Sequence, residues 1–131
     1  MNKHEYPNLG ETLYEEVLPN GLSVLVAVKP GFRKNAAFFA TRYGEWIDTP
    51  AGVAHFLEHK MFDMPDGRNV LSDFAALGAS PNAFTGTGHT AYYFTGSENF
   101  MENLRLLLTY VSTPYYTEES VAKEQGIIGQ E

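Results

Sequence analysis

Cysteine is absent from the sequence, which excludes disulfides, thiolate ligands and structural zinc fingers and leaves imidazole and carboxylate as the groups able to hold a metal. No apolar run is long enough to span a membrane, and Met1 to Gly10 has no apolar core of the kind a signal peptide needs. A cytoplasmic location without a membrane partner is expected. Positive charge is scarce as well. Nine Lys and Arg stand against sixteen Asp and Glu, a formal charge of -7, which repels nucleic acid and anionic lipid, so no nucleic-acid partner is expected. Internal repeats and low-complexity linkers are also missing, and residues 1–131 read as one domain. What the chain does have is apolar material: 44% of its residues are hydrophobic, enough to build a core.

Apolar residues alternate with polar ones through Leu13, Val17, Leu22, Val24, Val26 and Val28, broken by Pro19-Asn20-Gly21, a pattern that predicts a β-hairpin. Ala36 to Tyr43 reads as a further strand. Thr49-Pro50 supplies an N-cap and a proline for the first turn of a helix over Ala51 to Phe62, which Pro65-Asp66-Gly67 stops. Val70, Leu71, Phe74 and Leu77 form one face of a short helix closing at Gly78. Asn82 to Thr85 and Thr90 to Thr95 are β-prone, and Gly86-Thr87-Gly88 between them allows either a hairpin or one long bent strand. Ser97 is placed to cap a helix bearing Met101, Leu104, Leu108 and Val111, and Thr117 to cap a last helix carrying Glu124 and Glu131. Strands mixed with helices, without strict β-α-β alternation, predict an α+β fold with a largely antiparallel sheet packed against helices.

The chemistry concentrates in His55-Phe56-Leu57-Glu58-His59. At about 100° per residue, His59 lies roughly 40° round the helix from His55 and Glu58 roughly 60° to the other side, so all three share a face. Two imidazoles one turn apart can reach the same tetrahedral zinc, with the carboxylate beside them free to act as general base on water. Phe56 and Leu57 are left to anchor the helix in the core. This is the H-x-x-E-H pattern, the zincin motif read in reverse. A catalytic zinc takes a third protein ligand, which must be a distant carboxylate or histidine. His89 reads as a polar loop residue and His4 as part of a mobile terminus.

In these residues the sequence resembles the pitrilysin and insulinase-type zinc metallopeptidases, the inverzincins. The likeness is carried by Leu18-Pro19-Asn20-Gly21-Leu22, Gly52-Val53-Ala54 with the motif that follows, Asn82-Ala83-Phe84-Thr85, Thr90-Ala91-Tyr92-Tyr93, and Glu124 through Glu131. The resemblance implies the N-terminal half of a metalloenzyme domain of the mitochondrial-processing-peptidase type, bacterial and processing-peptidase-like. It implies one Zn²⁺ per chain, with Glu131 as the third ligand beside His55 and His59. Glu124, two helical turns earlier, would orient a ligand or help position water. Asn82, Ala83 and Phe84 would pair with an extended peptide substrate by adding a strand to the sheet edge.

The implied activity is a zinc metalloendopeptidase that cleaves peptides or small unfolded proteins, with Glu58 and Glu124 as catalytic residues. Members of such families also occur as non-catalytic peptide-binding or partner subunits that have lost the metal motif; here every motif residue is present. The resemblance further implies a longer catalytic domain and a second half-molecule or homologous subunit that closes a chamber over the substrate. These residues alone are therefore expected to be weakly active or inactive and prone to form homo-oligomers through an uncovered strand edge.

Overall fold

The computed structural model describes residues 1–46 and 50–130. It divides into two compact units, Met1–Arg33 and Lys34–Glu131. The first is a three-stranded antiparallel meander of β1 (Asn2–Tyr6), β2 (Glu11–Val17) and β3 (Ser23–Val28). The expected hairpin is β2 and β3. Its turn closes through Leu18 N–H to Leu22 O at 2.9 Å and Gly21 N–H to Leu18 O at 2.8 Å, with Gly21 at φ 88°, a left-handed backbone that glycine adopts without a Cβ clash. His4 corrects an expectation. It sits in β1 opposite Leu13, its Nε2 3.6 Å from Glu15 Oε2, because strand pairing orders a terminus whose polar sequence gave no strand signal.

The second unit runs β4 (Asn35–Thr41), α1 (Val53–Lys60), α2 (Val70–Ala76), β5 (Ala79–Thr85), β6 (Thr90–Gly96), α3 (Phe100–Val111) and α4 (Glu118–Ile128). β5 and β6 form a hairpin, resolving the alternative left open by the sequence, and the sheet order is β4-β6-β5 with every pair antiparallel. The α+β expectation holds. Alternation along the central strand turns Tyr92 and Phe94 to the helix side, where Val70 and Phe74 of α2 and Leu107 and Tyr110 of α3 complete a core. The rings of Phe74 and Phe94 lie 5.8 Å apart, and those of Tyr92 and Tyr110 meet edge to face at 6.0 Å.

Helix ends hold two further corrections. The α3 cap is Asn99, in left-handed backbone at φ 55° with its Nδ2 donating to Leu77 O, rather than Ser97. Thr49, expected to cap the motif helix, lies outside the described residues. That helix starts later than expected, at Val53. Gly52 takes the N-cap position at φ 89°, where any other residue would be strained, and its carbonyl accepts the Phe56 N–H at 2.9 Å. Thr117 caps α4 as expected, in a capping box with Ser120, and the helix ends at Ile128, three residues before Glu131.

Candidate metal centre

One turn of α1 brings the rings of His55 and His59 together edge to face. Their Nε2 atoms are 3.1 Å apart and the rings stand at 86°. Two nitrogens bound at about 2.0–2.1 Å to one tetrahedral zinc would be separated by about 3.4 Å, so this pair fits a shared metal with little movement. The other ring nitrogen of His59 faces Glu124 on α4, with Nδ1 2.7 Å from Oε1. A carboxylate can only accept, so Nδ1 carries a proton, and in the neutral ring the Nε2 lone pair then faces His55, the tautomer a metal ligand needs. The pair is sheltered, with His59 and Glu124 side chains 24% and 15% exposed.

Glu58, between the two histidines in sequence, accepts a hydrogen bond from the Thr85 hydroxyl at the end of β5. Tyr92 of β6 is close enough to feel its charge. Burial first, then the nearby Glu58 carboxylate and then Tyr116, push the Tyr92 phenol far above its ordinary range. Among the described residues no group of three His, Asp or Glu side chains converges as a metal cage. The third ligand implied by the resemblance, Glu131, lies outside the described residues.

The expected anchors of α1 need revision. Phe56 and Leu57 are half-buried, and the residues α1 buries are Ala54 and Lys60. Lys60 lies one turn beyond Phe56 on a side expected to be apolar, and it is tolerated there because its Nζ donates to Asp63 Oδ2 and to Ser120 Oγ, each at 2.8 Å. No local sequence signal marks it, because its partners Asp63 and Ser120 come from the turn after α1 and from α4. The sequence motifs assign Thr85 no role of its own. Period-two alternation from Ala83, in a strand beside the motif helix, would have marked its hydroxyl.

β5 is an edge strand of its sheet, as peptide pairing requires. Asn82 is exposed, Ala83 half-buried and Phe84 43% exposed. The Ala83 N–H is occupied by Asn82 Oδ1 at 2.8 Å. His89 is an exposed loop residue, edge-on to the Phe84 ring at 5.4 Å. The loop before it packs against Gly44, where a Cβ would come within 2.5 Å of His89 N. No helix among the described residues is long and apolar enough to cross a membrane.

Comparison with known proteins identifies the family and the fold. The chain is 48% identical to the uncharacterized zinc protease YmfH of Bacillus subtilis, over 97% of its own length and 32% of that protein. It is 32% identical to the insulin-degrading enzyme of Bos taurus, over 87% of its own length and 12% of that enzyme. An M16-like peptidase from Alicyclobacillus acidocaldarius superposes with a TM-score of 0.87 at 40% identity, over 97% of this chain and 31% of that one. A protease from Helicobacter pylori, at 23% identity and a TM-score of 0.78, shares the fold. The chain thus spans about a third of the bacterial relatives it matches. Residues 42–131, which include the histidine pair, Glu58 and Glu124, match the model of Insulinase (Peptidase family M16), and the chain belongs to that family.

Proposed function

We propose that this chain carries the metal-binding and catalytic groups of a zinc-dependent endopeptidase, with one Zn²⁺ held by His55, His59 and Glu131. The observation that carries the reading is the convergence of two Nε2 atoms at 3.1 Å with a carboxylate fixing the tautomer of one of them. Zinc at such a site supplies a Lewis acid that polarises a peptide carbonyl and makes water acidic enough to attack it near neutral pH. Glu58 is the base that takes the proton from the attacking water and returns it to the leaving amine. Thr85 holds that carboxylate in place, and Glu124 keeps the His59 ring oriented.

The substrate is an extended peptide or small unfolded protein, laid along β5 at Asn82, Ala83 and Phe84 by main-chain pairing. The Asn82 side chain must swing away from the Ala83 N–H for that donor to be shared. The coverage of a third of each bacterial relative supports a longer catalytic domain and a second half-molecule or subunit enclosing the peptide. Zinc content and cleavage of a mixed peptide library, measured on the intact protein with and without chelator, test the proposal. Zinc-dependent cleavage that vanishes in Glu58→Gln is expected; cleavage indifferent to chelator and to that substitution would overturn it.

A further inference from the structure

We infer that Lys60 is a positioning residue that sets the register of α4 against α1 and thereby holds Glu124 at His59. The inference rests on the proposed role of His59 only for its functional consequence; the register itself is a property of the fold.

The Lys60 side chain is 0% exposed. An ammonium so buried must place its three protons on partners. Asp63 takes one from within the same segment, Ser120 Oγ takes another from the first turn of α4, and the Tyr116 ring, just before that helix, lies 5.9 Å from Nζ. Two of the three contacts therefore reach across to α4 and its approach. That matters because α4 has no fully buried residue and offers only the half-buried Val121 and Ile128 to apolar packing, which leaves its position along its axis weakly fixed.

The polar contacts come in matched pairs. His59 and Lys60 are adjacent on α1, while their partners Glu124 and Ser120 are one turn apart on α4 and share a face. Sliding α4 by a single residue would move each partner by about 1.5 Å along the axis and about 100° around it, enough to separate Glu124 from His59. Lys60 grips the start of the helix at Ser120, which is also the N3 residue of the capping box, so the grip is on an ordered turn rather than a fraying one.

The test compares the intact protein with Lys60→Met, which keeps the apolar stem and removes the charged head, and with Ser120→Ala and the double variant. In metal-free protein, Lys60→Met is expected to speed amide exchange in α4 by about tenfold or more while β6 keeps its protection. The His59 Nδ1 nitrogen resonance should move in the direction that Glu124→Gln moves it. In the Ser120→Ala background, Lys60→Met should add little. Zinc affinity should fall by about tenfold or more. Unchanged α4 exchange and an unmoved His59 resonance in Lys60→Met would overturn the inference, as would strictly additive effects of the two substitutions. Should Lys60→Met fail to fold, Lys60→Gln, neutral but polar, is read by the same criteria. Loosening of α4 and a shifted His59 resonance with zinc affinity unaltered would uphold the register and refute any effect of Glu124 on metal binding through His59.

Discussion

His59 Nδ1 stands 2.7 Å from Glu124 Oε1 while its Nε2 stands 3.1 Å from His55 Nε2, so the two nitrogens of one ring face a carboxylate and a second imidazole. The carboxylate fixes where the proton is, and a fixed proton makes the opposite nitrogen a ready donor to a metal. Glu124→Gln keeps the shape but lets the amide offer an N–H where an acceptor is needed. It is expected to weaken zinc binding by about 10–100-fold, read by competition against a chromophoric chelator, with the fold intact by circular dichroism. Unchanged affinity would show that the Glu124 contact does not act on the metal through His59.

The ligands and the base separate cleanly by substitution. His55→Ala and His59→Ala should each abolish stoichiometric zinc, because removal of one imidazole leaves too few protein ligands. Glu58→Gln should keep the metal and lose about 10²–10⁴-fold in kcat, the usual range for a general base. Zinc analysis alongside peptide cleavage distinguishes the two patterns. Full zinc in the double histidine variant would refute the site.

Thr85 gives a finer test, since its hydroxyl is the donor that orients Glu58. Thr85→Val preserves the branched shape and removes one hydrogen bond, about 0.5–1.5 kcal/mol, so kcat/KM should fall about 2–12-fold with zinc content unaltered. Thr85→Ser should recover most of the loss. Equal rates for all three residues would mean the contact does not position the base.

Much of this arrangement was legible in the sequence because local signals and chemistry agreed. The spacing of His55, Glu58 and His59 fixes a shared face on any helix, and Thr117 with two acids after it marks the start of α4. The turn at Pro19-Asn20-Gly21 marks its hairpin equally well. Other features depended on partners distant in sequence. Lys3-His4-Glu5 becomes a strand only because β2 is there to pair with it. Asn99 displaces Ser97 as a cap because the chain turns left-handed there, bound to Leu77 of another segment. Lys60 looks like a solvated residue until Asp63 and Ser120 are brought to it. Thr85 is an ordinary strand threonine until α1 lies alongside.

The last expectation concerns alkaline pH. Tyr92 and Tyr110 are both buried, and burial is the main reason their phenols sit far above the ordinary value of 10.0; the Glu58 carboxylate adds to the shift at Tyr92, and Tyr92 itself adds to it at Tyr110. The folded protein therefore holds both protons at a pH where the unfolded chain has begun to release them. The sign follows: the contribution is fully present below about pH 10, and stability falls as pH rises beyond it, because the unfolded state then binds fewer protons than the folded one. Denaturant midpoints should be lower at about pH 11 than at about pH 8, with the difference smaller in Tyr92→Phe and smaller still in Tyr92→Phe, Tyr110→Phe. At neutral pH the two substitutions should differ. Tyr110 Oη has no hydrogen-bond partner among the described residues, so Tyr110→Phe removes a buried unsatisfied hydroxyl and should be neutral or stabilising. An alkaline loss of stability that persists undiminished in the double variant would place its origin elsewhere, and a strongly destabilised Tyr110→Phe at neutral pH would show that the hydroxyl has a partner after all.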